Sequence, residues 1–155
     1  MNTNNNERPS WDEYFINMAH LVSTRSNCVS RKVGAVITLD NQVISTGYNG
    51  APKGLYHCID KGGCLRKLKN IESGTRQEIC RAVHAEQNAI ISAAIKGVSI
   101  KGSTIYINTY PCSICTRMLI NAEIKRIVYD SDYSDELSKE MLEESKIEVI
   151  KYEKK

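Results

Sequence analysis

Apolar positions along this 155-residue chain switch between the period of a helix and the period of a strand. Trp11, Tyr14, Phe15, Met18, Ala19 and Val22 recur at the three- and four-residue intervals of one helical face. Ser10-Trp11-Asp12-Glu13 reads as a capping box that opens this helix. Val33 to Leu39 is a β-prone run, Gln42 to Tyr48 is a second, and Asp40-Asn41 between them predicts a hairpin turn. From Asn49 to Val83 the periodicity breaks down. Gly50, Gly54, Gly62, Gly63 and Gly74 punctuate this stretch, and Pro52 interrupts it. A loop of that length is unusual inside a compact domain, so something should hold it.

Regular patterning then returns. Ala85 to Lys96 has helical composition and stops at Gly97, a good C-terminal signal. Thr104 to Asn108 predicts a short strand. Pro111 to Asn121 predicts a helix with proline in its first turn, where it fits. Lys125 to Tyr129 is a strand, Ser134 to Ser145 a helix with Asp135 and Glu136 in its first turn, and Ile147 to Ile150 a last strand. The order implies one α/β domain of three layers, α-β-α, around a mixed sheet.

Length and charge narrow the function. The chain suffices for one domain with one core. No apolar run approaches the roughly 18 residues of a membrane span. Residues 1–9 are polar, rich in asparagine and unlike a secretory signal, so a loose tail and a cytoplasmic location are expected. The net charge of +3 is too small to predict a nucleic-acid surface. In the cytosol, six cysteines suggest metal binding or catalysis rather than disulfides.

Two motifs give those cysteines a chemistry: His84-Ala85-Glu86, and Pro111-Cys112-Ser113-Ile114-Cys115. Together they form the pattern of zinc deaminases. A catalytic zinc takes three protein ligands and keeps a fourth position for water. His84, Cys112 and Cys115 supply three, and two thiolates balance the metal's charge. Cys112 and Cys115, three apart, are neighbours at a helix start, where the dipole favours thiolates. His84 and Glu86 would diverge by about 200° inside a regular helix, so they can converge only where the chain enters one. Zinc makes hydroxide available near neutral pH, and hydroxide attacks the carbon bearing an amino group. Glu86, not a ligand, passes protons from water to the adjacent ring nitrogen, and ammonia departs. Alone, His-x-Glu is ordinarily a surface accident, and Cys-x-x-Cys is half of a structural zinc site or a redox pair. Specificity lies in their combination.

The chain resembles the deoxycytidylate (dCMP) deaminase family of the cytidine deaminase superfamily. The resemblance runs from Trp11 to about Val149. It rests on Trp11-Asp12-Glu13-Tyr14-Phe15, Arg25-Ser26-Asn27-Cys28, Val33-Gly34-Ala35-Val36-Ile37, Gly47-Tyr48-Asn49-Gly50 with Pro52, and His84 to Ile90. It implies a sheet of about five strands and hydrolysis of dCMP to dUMP, which supplies thymidylate synthesis. It implies a homo-oligomer, often a hexamer, with dCTP and dTTP as regulators. It also implies that Asn49 hydrogen-bonds the substrate. Arg25 becomes the candidate for the 5′-phosphate, and Tyr133 the residue that closes over it. One departure concerns regulation. Some allosteric members carry arginine near the end of the His-Ala-Glu helix, where this chain reads Ala94-Ile95-Lys96.

Some members bind a second, structural zinc in the irregular loop. Cys28 and Cys58 match its ligand positions, and Cys64 and Cys80 complete a four-thiolate set, with His57 as substitute ligand. The expected organisation is then a tail over 1–9 and a deaminase domain over 10–152, with a zinc-pinned loop over 49–83. The alternative for these cysteines is separate buried thiols. Two rival functions share the motifs: a deaminase of tRNA or another nucleoside, and an accessory zinc-binding protein of DNA uptake. Retention of Glu86 favours catalysis, since a structural zinc has no use for that carboxylate.

Overall fold

The computed structural model describes residues 7–155. Of the expected tail, residues 1–6 lie outside the described residues; Glu7, Arg8 and Pro9 are exposed and irregular. Ser10 opens the first helix: its side chain accepts from the Glu13 N–H at the start of α1 (Trp11–Ser23). The hairpin follows as β1 (Gly34–Leu39) and β2 (Gln42–Tyr48). Asp40 and Asn41 both take positive φ (50° and 57°), the backbone of a tight two-residue hairpin turn.

A short α2 (Leu65–Leu68) and two 3₁₀ turns, Ile59–Lys61 and Gln77–Ile79, lie within the long loop. An isolated bridge between Gly50 and Val83 closes its base. Arg66 staples its interior by donating from Nη2 to the carbonyls of Glu72 and Thr75 at 3.1 and 2.8 Å. Beyond it run α3 (Ala85–Lys96), β3 (Thr104–Ile107), α4 (Ser113–Asn121), β4 (Arg126–Tyr129), α5 (Glu136–Glu144) and β5 (Glu148–Lys151).

The five strands form one mixed sheet in the order β2-β1-β3-β4-β5. β1 pairs antiparallel with β2 and β3, while β3, β4 and β5 run parallel. Strand alternation divides the core into two layers. Val36, Tyr106 and Val128 face α1 and meet Phe15, Ile16 and Ala19. Ala35, Ile37, Ile105, Ile107 and Ile127 face the other helices and meet Ala89, Leu119 and Leu142. The result is the three-layer α-β-α arrangement. Trp11 and Tyr14 sit at the rim, about half exposed, and Ile16 takes the core position beside Phe15.

Two glycines set how closely the helices approach the sheet. A Cβ on Gly34 would lie 2.2 Å from the Ala19 carbonyl oxygen, and one on Gly47 would lie 2.3 Å from that of Ala85. Backbone cannot yield at those separations, so glycine is required at both. Gly47 therefore determines where the first turn of α3 rests on β2.

Most element boundaries shift by one or two residues from the sequence reading, and three of the shifts have a visible cause or consequence. Cys112 precedes α4 as its N-cap. Asp135 is the N-cap of α5 rather than a first-turn residue. Val33 stands just outside β1 because the Asn49 side chain takes its N–H. Among the described residues no helix is long and apolar enough to cross a membrane.

Candidate active site

Both halves of the motif stand at helix entrances. His84 is the N-cap of α3, with extended backbone (φ −72°, ψ 158°), and its N–H donates to Gln87 Oε1 at 2.8 Å. Cys112 is the N-cap of α4 in almost the same conformation (φ −73°, ψ 166°). An extended N-cap departs from the helical rotation. That lets His84 and Glu86 address one space although only two residues separate them. Cys112 and Cys115 do the same across the first turn of α4.

The two entrances meet. His84 Nδ1 lies 3.4 Å from Cys112 Sγ and 3.3 Å from Cys115 Sγ. Bonds of about 2.0 to 2.3 Å at a tetrahedral zinc separate its nitrogen and sulfur ligands by roughly 3.5 Å. The donor types and their spacing therefore fit zinc. Among the described residues, this is the only group of three metal-ligating side chains gathered so closely.

As protein groups alone, these side chains share protons unequally. The hydrogen bond from Cys115 draws Cys112 down to about 4; burial opposes this, and His84 adds to it. Cys115, the other partner in that bond, is pushed well up. Burial works against charge on His84, yet hydrogen bonds with Cys112 and Cys80 bring it up to about 10. Glu86 is only 3% exposed. Burial, and then the nearby Cys112 charge, raise its carboxyl, with His84 opposing. A carboxyl whose hold on its proton is raised in this way is suited to taking and returning a proton during a reaction.

His84, Glu86 and Cys112 line a cavity of about 900 Å³, counting its solvent-open mouth. Asn49 and Tyr133 also line it, whereas Arg25 is exposed beyond α1 and outside the lining. Asn49 is partly committed to the fold: Nδ2 donates to the Arg31 carbonyl at 2.8 Å, and Oδ1 accepts from the Val33 N–H at 2.9 Å. One amide hydrogen and one lone pair remain for a ligand.

Cys28, Cys58, Cys64 and Cys80 line the same cavity, while His57 is exposed outside it. Cys58 is raised by burial first and then by charge on Cys80, Cys28 and Cys64. The four are thus electrostatic neighbours, though not gathered as tightly as the three around His84.

Thr109, Arg31 and Arg66 also line the cavity; sequence reasoning places Arg31 and Arg66 only beside the four-cysteine set and misses Thr109. Thr109 Oγ1 is buried without a hydrogen-bond partner, an arrangement that invites a ligand group. Its position three residues before Cys112 was the available signal.

Residues 9–131 match the family model described as the cytidine and deoxycytidylate deaminase zinc-binding region. The chain belongs to this family. It is 38% identical over 149 residues to the deoxycytidylate deaminase of Schizosaccharomyces pombe, covering 96% of this chain and 46% of that one. The chain thus spans about half the length of this relative. It is 38% identical to the deoxycytidylate deaminase of Mycobacterium phage D29 over 81% of this chain and 98% of the phage protein. It is also 37% identical to ComE operon protein 2 of Bacillus subtilis, covering 95% of this chain and 74% of that one. The crystal structure of dCMP deaminase from cyanophage S-TIM5 in complex with dCMP and dUMP superposes with a TM-score of 0.75. Identity there is 27%, over 94% of this chain and 99% of the phage chain.

Proposed function

We propose that the chain is a zinc-dependent hydrolase that converts dCMP to dUMP and ammonia. The observation that carries this reading is the meeting of His84, Cys112 and Cys115 at the wall of a cavity that His84, Cys112 and the buried carboxyl of Glu86 line. The similarity to a structure holding dCMP and dUMP supports the substrate.

His84, Cys112 and Cys115 would hold the zinc, which when bound supplies an activated water. Glu86 takes a proton from that water and delivers it to the ring nitrogen beside the amino-bearing carbon. A second proton passed by Glu86 leaves with the amine as ammonia. Asn49 and Thr109 orient the nucleotide through their remaining hydrogen-bonding capacity.

A second, structural zinc is part of the proposal. Cys28, Cys58, Cys64 and Cys80 would draw together around it, with His57 as substitute for one of them. Their common place on the cavity wall and their mutual effect on Cys58 support this. Such a zinc would hold the 49–83 loop within a domain spanning 10–152. A cytoplasmic homo-oligomer, in hexamers and regulated by dCTP and dTTP, completes the proposal. Its support is family resemblance.

Similarity to ComE operon protein 2 favours one second reading, a zinc-binding accessory protein of DNA uptake. Product analysis separates the two. The zinc-loaded protein is incubated with dCMP, CMP, dCTP and deoxycytidine, and ammonia and deaminated product are measured. Preferential conversion of dCMP to dUMP supports the proposal; inertness toward all four sinks it.

A further inference from the structure

The segment that leaves β4 at Asp130 and reaches the cavity wall at Tyr133 is held from two sides. Its outer side is tied to α1 and β5. His20, in the last turn of α1, places Nε2 2.5 Å from Asp130 Oδ2. A carboxylate can only accept, so Nε2 carries the hydrogen and donates it. Lys151 of β5 donates to Asp132 Oδ2 at 2.6 Å. On the inner side, Arg31 Nη2 donates to Ser131 Oγ at 3.1 Å, and the Tyr110 N–H donates to the Ser131 carbonyl at 2.8 Å.

The Tyr110 contact leads to a metal ligand. Pro111 has no N–H, so Tyr110 carries the last backbone donor before Cys112. Ser138 Oγ holds the Pro111 carbonyl at 2.8 Å from the α5 side. The turn that presents Cys112 is thus set between Ser131 and Ser138. Asp130, next to Ser131, has one hold of its own. Its Oδ1 is buried with no partner, and among the described residues His20 is the only hydrogen-bond partner of its carboxylate. A buried acceptor that loses its donor is costly to keep in place. Without His20 the carboxylate gains by turning to water, and Ser131 moves with it. His20 itself is half exposed and outside the cavity lining, so it acts only through Asp130.

We propose that His20 and Asp130 are a positioning pair for the candidate active site. By latching the segment over 130–133 to α1, they keep the Ser131 carbonyl against the Tyr110 N–H and so fix the turn that presents Cys112. The inference deepens the deaminase reading and rests on it for the effect on turnover. Helix α1 lies on the far face of the sheet from α3 and α4, yet through this pair it helps to set the geometry of a zinc ligand. Removal of groups that orient a metal ligand costs about 10- to 100-fold in activity or metal affinity. The pair acts through one further hydrogen bond, which places its effect at the lower end of that range.

The test compares the zinc-loaded full chain as wild type, His20→Ala and His20→Gln, by amide hydrogen exchange and by dCMP turnover. Exchange at the Tyr110 amide should run about 10-fold faster in His20→Ala, while Ile105 in β3 keeps its wild-type rate. His20→Gln, whose Nε2 can still donate to Asp130, should restore the Tyr110 rate. kcat should follow the same order, falling by about 10-fold in His20→Ala with KM changed less. Unchanged Tyr110 exchange in His20→Ala overturns the inference. So does a rise shared equally by Tyr110 and Ile105, which marks general loosening of the fold, or a His20→Gln protein as fast as His20→Ala. A kcat in His20→Ala equal to that of an active wild type overturns it as well. If the exchange pattern is found in a wild type inert toward dCMP, the latch stands and the deaminase reading fails.

Discussion

Ser113 donates its backbone N–H to Asp135 Oδ2 at 2.8 Å, so the residue that caps α5 also caps α4. Oδ1 of the same carboxylate takes the Ser138 N–H at 3.0 Å. Ser113 is the residue between the N-cap Cys112 and the rest of the first turn. Asp135 thereby ties the position of two candidate metal ligands to a helix that contributes none. Asp135→Ala should cost about 1 to 2 kcal/mol of stability and should speed zinc loss to a chelator. Urea denaturation and a chelator-release assay on the same variant check both effects.

Gly47 makes a sharper prediction. Its missing Cβ would fall 2.3 Å from the Ala85 carbonyl oxygen and 2.4 Å from the Ala89 nitrogen, all backbone. Gly47→Ala should destabilise the fold by at least about 2 kcal/mol and displace the His84–Glu86 turn. Gly50, three residues on, has nothing within 4 Å of the equivalent position. Gly50→Ala should stay within about 0.5 kcal/mol of wild type. Paired denaturation curves test the contrast.

Acid sensitivity should follow from Asp12. Arg126 holds it by two hydrogen bonds of 2.6 and 2.7 Å. The hydrogen bond from Arg126 lowers the Asp12 pKa, burial opposes this, and Tyr106 assists. The folded-state pKa is therefore below the unfolded one. The stabilisation is present above the unfolded pKa of about 4 and is lost as pH falls through the folded value. Asp12→Asn should lower stability at pH 7 and flatten the stability profile below about pH 4 relative to wild type. Thermal unfolding across pH 2 to 7 reads this; parallel profiles would show that the pair contributes nothing.

The second zinc has its own count. Elemental analysis should find about two zinc ions per wild-type chain and about one in Cys58→Ser, with the 49–83 loop cleaved faster by protease. One zinc in both proteins would remove the second site from the account.

Local signals made some of the molecule legible before its structure. Helix α3 runs Ala85–Lys96 as expected, because an N-cap at His84 and a left-handed Gly97 act within a few residues of themselves. The hairpin follows from Asp40-Asn41 for the same reason. What stayed hidden depends on contacts between distant segments. The Gly50–Val83 bridge joins residues far apart in sequence, and no pattern within 49–83 announces it. Arg25 and Arg31 lie on one basic stretch with no local feature to rank them. Only the fold turns Arg31 into the cavity wall and leaves Arg25 outside it. Cys112 reads as a residue inside a helix, because the preceding proline suits a first turn. Its role as N-cap depends on the approach to His84.

The central claim is that one buried carboxyl runs the chemistry beside a zinc it does not bind. The most direct test measures zinc content at the His84, Cys112 and Cys115 site together with dCMP deamination, in wild type and Glu86→Gln. The account predicts equal zinc in the two proteins, dUMP and ammonia from wild type, and turnover at least about 100-fold lower in the variant. Equal turnover by both proteins, or loss of zinc along with Glu86, would contradict it.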